Sequence, residues 1–195
     1  MWLRVIGALL SVSFAAPAAV AQDHGAPDTD SQIAQAVLAA PEAMREGATV
    51  LGYGGQARPG DPLTVLRAGS NDLMCLADEF AVEGFHVACY HHSLDGFMVL
   101  GRRLRAEGKD RSDIMDARYA ALEAGTLTMP VRAALYSMSA DGGPEDLDGA
   151  RRLVVVYVPG ASADELGLPG RPAGDWPWLM LPGTPWAHIM IGLQE

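Results

Sequence analysis

Residues 63–104, LTVLRAGSNDLMCLADEFAVEGFHVACYHHSLDGFMVLGRRL, contain the change of hydrophobic period that decides the fold. Leu63 to Leu66 is a short β-branched run, and residues 72–76 and 85–90 are two further strand candidates, each carrying one cysteine. From Ser93, a capping residue, Leu94, Phe97, Met98, Gly101 and Leu104 recur at spacings of three and four, which is the period of an amphipathic helix. A sheet therefore gives way to a helix around residues 91–93. Downstream, Gly108 ends that helix. A second starts at Asp110 or Ser112 and carries Ile114, Met115, Arg118, Tyr119 and Leu122 before Gly125.

Strand patterns return on both sides of this helix pair. Residues 133–139 and 153–158 are β-rich and flank the acidic, turn-rich loop DGGPEDLDG. Ser162 and Glu165 form a capping box over one helical turn. Residues 178–181 and 186–193 read as a hairpin about Pro182-Gly183-Thr184-Pro185. Upstream, Asp30 or Ser31 caps a short helix with Ile33, Val37 and Leu38 on one face, interrupted at Pro41, and residues 48–51 are a strand. Strands, then a helix pair, then strands give an α+β fold with a mostly antiparallel sheet in one domain over residues 31–195.

Residues 1–21 combine Arg4, an apolar run from Val5 to Ala16, and small residues ending Ala19-Val20-Ala21. This is the pattern of a secretory signal peptide cleaved after Ala21, and the run is too short to span a bilayer. Residues 22–30 form a polar, flexible leader. Export to the periplasm or the medium follows, and in an oxidising compartment Cys75 and Cys89 are expected to pair. Formal net charge is −10, from 24 acidic and 14 basic residues, with no basic stripe, so nucleic acid is excluded as a partner.

Leu66-Arg67-x-Gly69-x-Asn71, followed by Cys75, a second cysteine at Cys89 and the terminal Gly183-Thr184-Pro185, resembles a family of exported bacterial proteins of unknown function. The likeness extends over residues 33–193. Asp72 stands where that pattern has glycine after the asparagine. The resemblance implies export and a single domain, and no activity.

The chemistry-bearing motifs are few. Gly52-Tyr53-Gly54-Gly55-Gln56-Ala57 fits G-x-G-x-x-A, but Arg58-Pro59-Gly60-Asp61-Pro62 is unsuited to opening the helix that a dinucleotide pyrophosphate needs. No P-loop, H-E-x-x-H or nucleophile elbow occurs, and no cofactor is indicated. Residues 141–148 hold four acidic groups without EF-hand order. The methionines are scattered and read as core filling rather than as soft copper ligands. His86, His91 and His92 crowd the second cysteine near Asp95, offering imidazoles for metal binding or proton transfer. Simple alternation places Trp186, His188 and Met190 on one face as a candidate binding wall, with Ala187, Ile189 and Ile191 on the other as core. Cleavage after Ala21 would also leave Gln22-Asp23-His24, whose nitrogens suit square-planar Cu(II) or Ni(II). The leading expectation is a non-enzymatic domain binding a small molecule or protein; the alternative is a periplasmic hydrolase or metal-dependent enzyme using the histidines.

Overall fold

The computed structural model describes residues 26–58 and 60–193; the signal peptide read in residues 1–21, its cleavage point and His24 lie outside them. Eight strands form one sheet: β1 (Thr49–Gly52), β2 (Thr64–Arg67), β3 (Leu73–Leu76), β4 (Phe85–His91), β5 (Ala133–Ala140), β6 (Arg151–Tyr157), β7 (Trp178–Met180) and β8 (His188–Leu193). Their spatial order is β2-β1-β3-β4-β5-β6-β8-β7, with only β1 and β3 parallel among the pairs of described strands. The fold is α+β, as the patterning predicts.

The parallel pair has a local cause in residues 66–71. After β2 turns back on the outside of β1, the chain must cross the start of β1 to reach its other side and enter β3. Gly69 sits at this crossing, where an added Cβ would overlap backbone atoms of Gly47, Ala48 and Thr49. Arg67 donates to the carbonyls of Ala48 (3.1 and 2.9 Å) and Arg45 (2.6 Å), and Asn71 Nδ2 donates to Met44 O at 2.9 Å. Asn71 Oδ1 also accepts from Leu73 N–H at 3.0 Å, turning the chain into β3. The Leu-Arg-x-Gly-x-Asn motif is thus a clasp that satisfies carbonyls left open where helix meets strand.

Helices cover both faces. On one, α1 (Thr29–Ala36), a 3₁₀ turn and α2 (Glu42–Arg45) pack over Val50, Leu73, Cys75 and Cys89. The cap of α1 is Asp28, not Asp30 or Ser31: its carboxylate accepts from Ser31 N–H at 2.9 Å and from Ser31 Oγ at 2.6 Å, so the helix starts within the expected leader. Buried Gln32 exchanges hydrogen bonds with the backbone of Tyr53 at 2.8 and 3.0 Å, tying α1 to the end of β1.

On the other face, α3 (Asp95–Ala106) and α4 (Arg111–Glu123) cover Tyr90, Val155 and Tyr157. Asp110 caps α4, as one of the two expected caps. Ser93 does not cap α3; it lies in a 3₁₀ turn, His92–Leu94, whose entry is capped by the ring of His91. Where the two helices meet, a side chain on Gly101 would overlap the guanidinium of Arg118, so glycine permits the close approach. Arg118 lies over Phe97, 4.0 Å from its ring centre, and donates to Phe97 O at 3.1 Å. The capping box of α5 (Ala163–Leu166) is present in both directions between Ser162 and Glu165.

Candidate functional site

A groove of about 1100 Å³ lies between α3 and the helix-pair face of β1, β3 and β4. Strand alternation builds its floor: Leu51, Leu76 and Ala88 point to this face while Val50, Cys75 and Cys89 point to the other. Val99 on α3 and Val82 in the β3–β4 loop are 43% and 58% exposed along it, an apolar surface left open to water. Arginines of α3 form one wall; Asp78 and Glu79 stand on the β3–β4 loop, beside His86.

The α3 arginines are not equivalent. Arg102 is held by the core: its guanidinium donates to Tyr90 Oη at 2.8 Å and to Asp95 Oδ1 at 3.2 Å, and Tyr90 Oη donates to Asp95 Oδ1 at 2.8 Å. Arg103 lies 3.8 Å from Glu107 on its own helix. Arg105 has no ion-pair partner among the described residues and is exposed on the groove.

On the opposite wall, Asp78 accepts from His86 N–H at 2.8 Å. Burial raises the Asp78 pKa despite that bond. The protein around the His86 ring lowers its pKa even though the residue is open to solvent on one side; Asp78 opposes the shift and Arg105 adds to it. Burial, reinforced by Glu79 and Asp78, pushes the Tyr53 phenol up to about 12. At neutral pH the groove therefore presents a neutral imidazole and a neutral phenol among a mixed set of charges, Arg102, Arg103, Arg105 and Arg151 with Asp61, Asp78, Glu79, Glu83 and Asp141.

A second cleft of about 450 Å³ shares Ser139 and Arg151 with the groove and continues along the same sheet face toward Trp176 and Trp178. Met190 lines it. Trp186 and His188, grouped with Met190 by alternation, are each 7% exposed, Trp186 beneath the helix pair and His188 against the ring of Tyr157. The three do share one sheet face, since His188 and Met190 pair in the ladder with Tyr157 and Val155, but that face is covered at Trp186 and His188, and Ala187, ahead of β8, is buried as well. Ile189 and Ile191, expected to be core, are half-buried.

The two cysteines lie directly opposite each other on β3 and β4 and form a disulfide, both fully buried. The described histidines divide into three places. His86 is on the groove, His188 is buried beside Tyr157, and His91 and His92 meet Asp72 at the far end of the β3–β4 pair, outside the linings of both clefts. Asp95, the carboxylate nearest to them in sequence, is committed to Tyr90 and Arg102. The glycine-rich stretch after β1 leads into turns and not into a helix among its described residues.

Sequence reasoning missed Arg105, Asp78 and Tyr53 as groove residues. A basic run such as Arg102-Arg103-x-Arg105 on a helix most simply reads as a solvated face. Only the packing of α3 across the strand ends turns it toward a depression.

His188 supplies a pH test. Its Nδ1 lies 2.7 Å from Trp186 O, a carbonyl that only accepts, so Nδ1 carries the proton in the neutral ring. Burial lowers its pKa from 6.5, with the Trp186 carbonyl opposing. Below about pH 6.5 the unfolded chain takes up a proton that the native ring refuses, so stability is full above that pH and falls as acid is added. Urea unfolding at about pH 7.5 and about pH 5 should show this loss shrinking in His188→Asn, which keeps a donor without the titration. An undiminished loss would assign the effect to other groups.

No protein-family model, no curated protein and no solved structure matches the chain.

Proposed function

We propose that the protein is a non-enzymatic binding domain whose site is the groove between α3 and strands β1, β3 and β4. Its ligand is a small organic anion with an apolar body. One observation carries this reading: open apolar surface at Val82 and Val99 lies in the same groove as Arg105, a cation without an ion-pair partner among the described residues. An apolar floor with a few polar groups is the usual build of a small-molecule site, and a groove of 1100 Å³ has room for one. Arg105, the α3 arginine of that wall without an ion-pair partner among the described residues, is the group that would meet the negative end of such a ligand, away from the carboxylates of the β3–β4 loop.

The protein acts after export, in the periplasm or the medium, once residues 1–21 are removed. Its disulfide supports an oxidising compartment. No described helix is long and apolar enough to cross a membrane. The same reading places the chain with the exported proteins that its Leu-Arg-x-Gly-x-Asn motif resembles.

The naphthalene sulfonate dye ANS, an apolar anion, is a suitable probe. It should bind the folded protein saturably, and Arg105→Glu should weaken it about tenfold, corresponding to loss of about 1.4 kcal/mol. Trp176→Ala, in the second cleft, should leave the affinity unchanged. Equal affinity in Arg105→Glu, or loss in Trp176→Ala, would remove the assignment to this groove.

A further inference from the structure

We propose that Asp72, His91 and His92 form a site for a divalent transition metal, with Zn²⁺ the ion they suit best. One ligand atom from each of the three lies within 4.8 Å of the others. His92 Nδ1 and Asp72 Oδ1 are already 3.5 Å apart. Tetrahedral zinc with bonds of about 2.1 Å separates its ligands by roughly 3.4 Å, so small side-chain rotations close the site. Two imidazoles and one carboxylate are a recurrent zinc donor set, and three protein ligands leave a fourth position for water or for a ligand brought by a partner.

The backbone holds these residues together. Leu73 and His91 are paired across β3 and β4, and His92 N–H donates to Asp72 O at 2.8 Å. The disulfide joins the same two strands two residues farther in, at Cys75 and Cys89. The His91 and His92 rings stack with centres 4.6 Å apart, so both present their edges to the same region. In the metal-free ring His91 Nδ1 accepts from Ser93 N–H at 3.2 Å and lies 2.8 Å from Ser93 Oγ, so the ring proton sits on Nε2. A metal at Nε2 displaces that proton and moves the ring N–H to Nδ1, which gives up the Ser93 N–H bond and donates to Ser93 Oγ instead, an outer partner of the kind that fixes the tautomer of a metal-bound histidine.

The test is calorimetric titration of Zn²⁺ into metal-stripped, disulfide-bonded full chain. One equivalent should bind. His91→Ala and His92→Ala should each weaken binding by at least about tenfold, and Asp72→Asn should do the same. His24→Ala and His86→Ala should leave it unchanged, which separates this site from the amino-terminal histidine and from the groove. Asp72 and His92 are exposed, so Asp72→Asn and His92→Ala should unfold, metal-free, at the urea concentration of the parent, while His91→Ala, which loses the cap of the 3₁₀ turn, should unfold at a slightly lower one and still be folded in the titration. Absence of Zn²⁺ binding, or retention of full affinity in the His91→Ala/His92→Ala double variant, would overturn the proposal. Loss in His86→Ala alone would move the metal to the groove and overturn it equally.

Discussion

Replacing Trp186 by alanine should destabilise the protein by about 3–5 kcal/mol, the range for deleting a large aromatic side chain from a core. Its ring lies edge-on to Phe97 at 4.7 Å and against Tyr119 at 5.2 Å, which places it between the sheet, α3 and α4. The Arg118 guanidinium lies 5.6 Å from the Trp186 ring centre and 4.0 Å from that of Phe97. Burial already lowers the pKa of Arg118 to about 10, so part of the cost is a desolvated cation losing one of its two aromatic neighbours. Urea unfolding should show a lower midpoint with an unchanged slope. Trp176→Ala is the control: that residue is 76% exposed and its loss should change stability by no more than about 0.5 kcal/mol. Similar small effects from both would show that Trp186 does not anchor the helix pair.

Loss of the Cys75–Cys89 bond should cost about 3 kcal/mol, the chain-entropy value for closing a loop of this length. Both residues are fully buried and face α1 and the 3₁₀ turn that follows it, where Cys89 Sγ lies 3.4 Å from Ala36 O. Cys75→Ala/Cys89→Ala is the appropriate variant, because serine would add buried hydroxyls. Intact-mass analysis after alkylation without reductant should add no label to the parent protein. Two labels, or a double variant as stable as the parent, would contradict the bond or its energetic role.

The legible parts of the fold are those set by local period. The switch from strands to helices in residues 63–104, the Asp110 cap, the Ser162–Glu165 capping box and the terminal hairpin all depend on neighbours within a few residues. The parallel pairing of β1 with β3 depends on a crossing that brings Arg67 and Asn71 to carbonyls about twenty to thirty residues earlier in sequence, which spacing alone does not disclose. Alternation groups Trp186, His188 and Met190 on one face but does not disclose that this face is covered at Trp186 and His188, because the covering elements come from elsewhere in the chain. The groove is less legible again. Arg105 comes from a helix, Asp78 and Glu79 from a loop and the floor from three strands, so the groove exists only once the sheet order is fixed.

The most direct test of the groove as the binding site is a ¹H–¹⁵N correlation spectrum recorded while ANS is titrated into the protein. Shift changes that saturate together at Leu51, Tyr53, Ala77, His86, Val99 and Arg105, and that are absent at Trp176 and Gly192, are the expected result. Changes centred on Trp176, Trp178 and Gly192, or spread evenly over the sheet, would contradict it.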